Sequence, residues 1–503
     1  MHTRLPKLFL LPLFPALLLV AAMVPLNQDE GWYLLAVRRV AQGEGLYRDF
    51  TFTQGPVFPF AYQLARPLIA GWGLFGARVF QALLFLFTTL LVMFGARVNR
   101  KGMAPRRTAL EMTALLLLVC LPFHLQFSLT VKTYALSGLF LLASALCWLR
   151  GPGPRTTPAA ALFLALAAGT RLTLGVFFIP LGLSLLFQRK SLGDSPWMSF
   201  AGAGLVGLLL IFGPFLWLDF EATTFGLMDF HLARAVDALW MARTGFVLRQ
   251  LHNYFPAVLL IALFACFPKK LPTPEGTLWA GLGLATLVHA LAPFPYDEYQ
   301  TPLYPLVVLL MVRELSRRVP AEREKSFVTA LAMCGLLFAA GSPRTHAWMP
   351  VRHDRLWFHA GMETDLAQLR RVATELQTLL PPGATIFTPD AYLAIESGFE
   401  VPRGMEMGPF SLSLDGEARG LMDPTNIEAA LAASDAVVFS PYLFVSSPRL
   451  RPFADGEIRW LRNRIEAQFK RVRTEPDFGQ QRLPLEIWVR LPENDLSNST
   501  HFP

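Results

Sequence analysis

Eleven apolar runs, at about 8–26, 77–96, 109–125, 134–149, 158–170, 172–187, 198–217, 254–268, 277–293, 302–312 and 326–342, dominate the first two thirds of the sequence. Several approach the roughly 20 residues that a helix needs to cross a bilayer. Such runs leave little choice of fold, because hydrocarbon cannot satisfy the backbone of an irregular chain and only helices or closed barrels can cross it. The chain is 53% hydrophobic and 16% charged, whereas soluble domains carry about 25% charge. The expected fold class is therefore an α-helical polytopic membrane protein with about eleven transmembrane helices. A formal net charge of +8 does not imply a nucleic-acid partner, since the basic residues fall in short clusters between the apolar runs.

Those clusters give the orientation. Arg4 and Lys7 precede the first run, and Arg97, Arg100, Lys101, Arg106 and Arg107 follow the second. Arg150 and Arg155, Arg189 and Lys190, Lys269 and Lys270, and finally Arg313 to Lys325 follow the fourth, sixth, eighth and tenth. Basic loops alternate with non-basic ones, which predicts a cytoplasmic N-terminus and places residues 27–60 and everything past about 343 outside. The N-terminal run reads as the first span rather than a signal peptide, because more spans follow and no small-residue cleavage site is evident. Cys120, Cys147, Cys266 and Cys334 all lie in apolar runs and read as small buried hydrophobes, with no disulfide or metal framework.

The same parity divides residues 158–187. A single helix through Arg171 would put the basic pairs on either side of it on opposite faces of the membrane. Two short helices meeting at "GTR" keep both pairs inside. About 13 residues rise only about 20 Å against a core of about 30 Å, so such a helix ends within protein or at a hydrated cavity. Past residue 350 the pattern changes to helix-then-strand units at "METDLAQLRRVATELQTLLPPGATIFTPD", "TNIEAALAASDAVVFSP" and "GEIRWLRNRIEAQFKRV" leading to "LEIWVRL". These predict a soluble α/β domain over 346–503, after a membrane domain over 1–345 whose first outer loop covers 27–62.

That loop, "NQDEGWYLLAVRRVAQGEGLYRDFTFTQGP", is richer than a connector requires. Asp29 reads as the cap of a helix, with Glu30 in its first turn and Arg38 and Arg39 near its end, matched to the dipole. Leu34, Leu35, Val37 and Val40 would bury that helix in the membrane interface. A cap does not explain Asp49 beside Arg48 in the turn-forming segment that follows. Carboxylates and cations at a membrane surface suit transfer of a lipid-phosphate-linked sugar, where a carboxylate takes the acceptor proton and cations stabilise the departing phosphate. An ion-coupled transporter also keeps carboxylates near broken helices, although no internal repeat is visible.

The arrangement resembles the GT-C glycosyltransferases, the polytopic class that includes protein O-mannosyltransferases and the lipid A aminoarabinose transferase. The resemblance rests on Asp29-Glu30 after the first span, Gly45-Leu46-Tyr47-Arg48-Asp49, the turn Gln54-Gly55-Pro56, "AAGTRLT" and "HALAPFPYDEYQTPLYPL". It implies a bacterial inner-membrane hexosyl or pentosyl transferase that takes a polyprenyl-phosphate sugar donor to a lipid, glycan or protein acceptor on the outer face; a GT-C scaffold without activity is the other outcome. It makes Asp29 the catalytic base, with Glu30 and Asp49 positioning substrate or holding an optional divalent cation. Arg171 becomes a phosphate ligand, while Arg48, Lys132, Tyr299 and the Asp297-Glu298 pair become further cavity residues. His231, Arg234, Arg243 and Arg249 fall in a loop, 218–250, expected to be solvated. The class carries a basic or histidine residue before Pro-Pro where this chain has Gln54, which leaves open which cation meets the phosphate.

Overall fold

The computed structural model describes residues 5–96, 107–232, 239–264, 273–348, 363–412, 424–440, 455–480 and 482–492. A helix occupies each of the eleven apolar runs: α1 Leu5–Met23, then, after the outer helix α2 Gln28–Ala41, α3 Arg66–Gly95, α4 Arg107–Val119, α5 Pro122–Leu129, α6 Tyr134–Leu149, α7 Thr156–Thr170, α8 Phe178–Phe187 and α9 Ser195–Leu218. The membrane part continues through α10 Leu239–Asn253, α11 Phe255–Phe264, α12 Pro274–Leu291, α13 Tyr304–Arg318 and α14 Glu324–Gly341. Among the described residues three stretches are long and apolar enough to cross a membrane unbroken, Val57–Gly95, Ser195–Leu218 and Glu324–Gly341, and three more helix pairs pass when each is taken as one bent span. α9 shows its setting in its side chains: Leu210 and Trp217 are 72% and 90% exposed, an apolar surface that water would not tolerate.

The bends have local causes. Pro122, at the first position of α5, cannot donate to the preceding turn, and the chain turns by 76° between α4 and α5. Between α7 and α8, Arg171 adopts φ −145° and ψ 106° and a 3₁₀ stretch, Leu172–Phe177, intervenes. The break expected at "GTR" is there. The outer stretch 218–250, expected as a solvated loop, is helical in much of its described part, at Phe220–Thr224 and in α10; Arg234 lies outside the described residues. Cys120 and Cys147 are buried as expected, but Cys334 is exposed on α14 among other apolar side chains of that helix, Met333, Leu336 and Leu337. Cys266 lies outside the described residues.

The C-terminal region forms a four-stranded sheet in the order β1-β2-β4-β3, with β1 Ile386–Phe387 parallel to β2 Ala436–Phe439 and the other pairs antiparallel. Helices α15 Asp365–Leu379, α16 Ala391–Ser397, α17 Pro424–Ala432 and α18 Asp455–Gln468 accompany it. The first two helix-then-strand units are present as read. The third differs: "FKRV" is already strand, and β3 Phe469–Phe478 returns as a hairpin to β4 Leu483–Arg490.

The largest departure concerns α2, whose apolar face is covered by protein. Its residues from Glu30 to Val37 are buried, and its apolar face belongs to one continuous core with Phe52 and Phe58 of the outer segment, Leu74 and Ala77 of α3, and Leu369, Tyr392, Val437 and Ile487 of the C-terminal region. Gly31 permits the contact, since a Cβ there would stand 2.2 Å from the backbone nitrogen of Tyr392. Asp365 accepts from the Leu26 amide at 3.1 Å, and Gln480 accepts from the Gln28 amide at 2.9 Å. Arg38 donates to the carbonyls of Phe399 and Ala394, and Arg39 to that of Val401. Their charges match the helix dipole as expected, but their hydrogen bonds tie the helix to the C-terminal region.

Candidate active site

At the start of α2 the cap is Asn27, not Asp29. Asn27 is extended, its side chain accepts from the Asp29 amide at 3.1 Å, and Glu30 Oε2 accepts from the Asn27 amide at 3.1 Å, a reciprocal capping box. The Asp29 carboxylate is thereby released from capping. One oxygen, Oδ2, stands 2.8 Å from Lys132 Nζ, and Oδ1 accepts from Trp32 Nε1 at 3.2 Å.

Glu30 does not reach a substrate cavity. Its carboxylate and the Arg78 guanidinium are both fully buried and pair at 2.6 Å. Arg78 also donates to the carbonyls of Ala21, Val24 and Pro25, the unsatisfied end of α1. Glu30 Oε1 accepts from the Val131 amide at 3.1 Å, and Gln81 donates to the carbonyls of Thr130 and Lys132, each at 2.9 Å. Glu30, Arg78 and Gln81 thus hold the segment that presents Lys132. Burial works against the Lys132 ammonium, but Asp29, Tyr134 and Glu298 outweigh it and hold its pKa well above the ordinary lysine value.

Next to this pair stands Arg171, released by the helix break. It is 7% exposed, and its Cζ lies 4.4 Å from the centre of the Tyr299 ring and 4.9 Å from that of Tyr134. Its Nε meets no hydrogen-bond partner, and among the described residues no carboxylate forms an ion pair with it. Glu298 lies 3.3 Å from Lys132. Tyr299 also stacks near His289, which bonds Thr173 at 3.0 Å. The turn Gln54-Gly55-Pro56 packs on the same break: a Cβ on Gly55 would lie 2.1 Å from the Gly169 carbonyl. The cations beside Asp29 are therefore Lys132 and Arg171.

Asp49 and Arg48 stand apart from this group. They pair with each other at 2.8 Å, and Asp49 also accepts from the Gly45 amide at 2.6 Å. The hydrogen bonds from Arg48 and then from Gly45 pull the exposed Asp49 carboxyl down to about 2. Tyr47, in the left-handed region at φ 68°, turns the segment so that its hydroxyl donates to the Gln54 carbonyl at 2.5 Å. Asp49 and Arg48 line a separate cavity of about 580 Å³ with Asp219, Arg403 and Glu406. No hydrogen bond or ion pair joins either of them to Asp29, and the second carboxylate beside Lys132 is Glu298, at 3.3 Å. Of the outer residues, His231 bonds the Thr53 carbonyl, Arg243 donates to the Leu291 carbonyl, and Arg249 pairs with Asp297 at 2.8 Å. Among the described residues no three His, Cys, Asp or Glu side chains are placed to hold a metal ion together.

Arg78, Gln81, Tyr134 and His289 were not singled out in the sequence. Arg78 had a readable signal, an arginine inside an apolar run, where an ionisable group demands a partner. Gln81 had none.

The broken-helix bundle and its C-terminal region make a fold that is found among solved structures. Two solved structures of ArnT from Cupriavidus metallidurans share it. The form bound to undecaprenyl phosphate matches with a TM-score of 0.60 at 13% identity, covering 97% of this chain and 98% of that one. The apo form matches at 0.62 and 13%, covering 96% and 97%. The mycobacterial arabinofuranosyltransferase AftD matches at 0.47 and 14% identity, over 97% of this chain but 40% of its own length. No protein-family profile and no curated protein matches the sequence.

Proposed function

We propose that the chain is a membrane glycosyltransferase that moves a sugar from a polyprenyl-phosphate carrier to an acceptor hydroxyl on the outer face. The observation that carries this reading is Arg171, a buried guanidinium without a paired carboxylate beside a carboxylate held by lysine. Burying an unpaired charge is costly, and a ligand phosphate supplies the missing anion in a geometry that a guanidinium grips with two parallel hydrogen bonds. The ArnT fold, crystallised with undecaprenyl phosphate, supports the same donor.

In this reading the lipid phosphate accepts from Arg171, with Lys132 adjacent. The acceptor hydroxyl enters beside Asp29, which takes its proton as the oxygen attacks C1. The C1–O bond to phosphate breaks, the electron pair leaves with the phosphate, and the two cations stabilise the charge that develops there. Attack opposite the phosphate inverts C1. Glu30, Arg78 and Gln81 act at one remove, by fixing the carboxylate and the ammonium 2.8 Å apart.

Arg171→Lys keeps the charge and the aromatic contact but loses the fork. Binding of undecaprenyl phosphate to the purified variant is expected to weaken by about tenfold or more, the order of one charge-assisted hydrogen bond, with the Tm in detergent nearly unchanged. Equal loss of stability and binding would make Arg171 a packing residue and remove the main support for a phosphate site. Transfer itself is read by incubating the purified chain with polyprenyl-phosphate-linked sugars and following the products by mass spectrometry.

The eleven-span topology, with the N-terminus cytoplasmic and the C-terminal region periplasmic, is part of the proposal. It rests on the alternating basic loops and on the helix in each apolar run. A reporter active only outside the cytoplasm is expected to work when fused at residue 345 and to be silent at residue 103. The reverse pattern would invert the orientation and put Asp29 on the wrong face for a periplasmic acceptor.

A further inference from the structure

A second cavity, of about 730 Å³, lies between the C-terminal half of α2, the first turns of α3 and the C-terminal region. It is separate from Asp29: its α2 residues run from Leu34 to Gln42, so its nearest wall begins about 7 Å further along the helix axis at 1.5 Å per residue and extends away from the site. Three guanidiniums line it, Arg38, Arg66 and Arg370, against two carboxylates, Glu396 and Glu400. Both carboxylates already have cationic or amide partners, and only Oε2 of Glu400 is left without a hydrogen bond. Glu396 takes Arg370 at 3.1 Å and the Leu74 amide at 2.7 Å, while Glu400 lies 3.7 Å from Arg38 and accepts from Gln42 at 3.2 Å. Arg66 has no hydrogen-bond or ion-pair partner among the described residues. One positive charge is left over, and it faces the cavity.

The wall that carries Arg66 is apolar and open to the outside. Trp72, which lines the cavity, is 53% exposed, and Leu64, one half-turn before Arg66, is 77% exposed. Both precede the kink at Gly73, where φ is +58° and the chain turns into the apolar length of α3. An exposed tryptophan and leucine beside a free arginine at the outer end of a membrane helix match the level of lipid headgroups, where tryptophan concentrates and arginine meets phosphate.

We infer that this cavity holds the headgroup of an anionic phospholipid of the outer leaflet, with the phosphodiester on Arg66 and the acyl chains along Leu64 and Trp72; the left-over positive charge of the cavity selects a headgroup of net negative charge, since the choline ammonium of a zwitterionic lipid would cancel its own phosphate. The ligand bridges α3 to the C-terminal region through Arg370, whose guanidinium also donates to the Trp72 carbonyl at 2.9 Å. The inference needs the membrane reading but not the transfer reaction, and its test does not measure transfer.

The test uses the full chain in a neutral detergent with added phosphatidylglycerol, phosphatidylcholine or inorganic phosphate. Phosphatidylglycerol is expected to raise the Tm by about 2 °C or more through preferential binding to the folded state, and native mass spectrometry is expected to show it retained at one copy. Phosphatidylcholine is expected to do neither. Arg66→Gln, on an exposed side chain that holds no partner, is expected to fold normally and to lose the retained lipid and the Tm rise together. Equal stabilisation by phosphatidylcholine, or full retention of phosphatidylglycerol by Arg66→Gln, overturns the assignment. Inorganic phosphate reproducing the shift by itself would identify a simple anion site and overturn the lipid.

Discussion

Asp29→Asn is expected to lower sugar transfer by about two orders of magnitude or more, the usual contribution of a positioned general base, while folded protein is still recovered by size exclusion because Glu298 stays beside Lys132 at 3.3 Å. The asparagine keeps the shape and still accepts from Trp32, but it cannot take a proton. Helix capping does not complicate the result, because Asn27 and Glu30 form the capping box and the Asp29 side chain takes no part in it. The control is Asp49→Asn, which alters a carboxylate held by Arg48 and Gly45 in a different cavity. It is expected to retain most of the activity. Near-normal transfer by Asp29→Asn would rule out the base, and an inactive Asp49→Asn beside it would move the chemistry to the cavity that Asp49 lines.

Arg78→Met is expected to fail at an earlier stage, yielding little folded protein in any detergent. It strands the Glu30 carboxylate in a fully buried position and frees three carbonyls at the end of α1. Removing one member of a buried ion pair costs about 3–5 kcal/mol, enough to exhaust much of the margin of many proteins. Glu30→Gln combined with Arg78→Met removes the stranded charge and is expected to recover part of the loss, a non-additivity that neighbouring residues show. Size-exclusion profiles and thermal unfolding of the single and double variants read this directly. A stable but inactive Arg78→Met would instead make Arg78 part of the chemistry.

The two variants separate what the sequence disclosed from what it hid. Period and polarity disclosed the helices, because an apolar run has one meaning in a membrane. Parity of the basic loops disclosed the break at Arg171, and the expected phosphate ligand stands there. The role of Glu30 was hidden, since its partner is 48 residues away at Arg78 and nothing local distinguishes a carboxylate aimed inward from one aimed at a substrate. The convergence of Asp29 and Glu298 on Lys132 was hidden for the same reason: three segments distant in sequence meet there. Asp49 misled because Gly45, Tyr47 and Asp49 form a self-contained turn, whose residue types look like a site while their hydrogen bonds serve the turn. The cover of the apolar face of α2 was hidden, because amphipathicity states that a face is buried and does not name what covers it.

The core shared by α2 and the C-terminal region imposes an order on biogenesis. Leu26 is bonded to Asp365 across 339 residues, so the helix bearing Asp29 emerges early in synthesis and waits for nearly the whole chain before its apolar face is covered. Contacts so distant in sequence form slowly, and surfaces that wait for them are open to misassembly. The last segment must therefore be made, and must reach α2, before that helix can settle. A chain interrupted before residue 363 would keep its apolar helices and still present α2 without the surface that covers it.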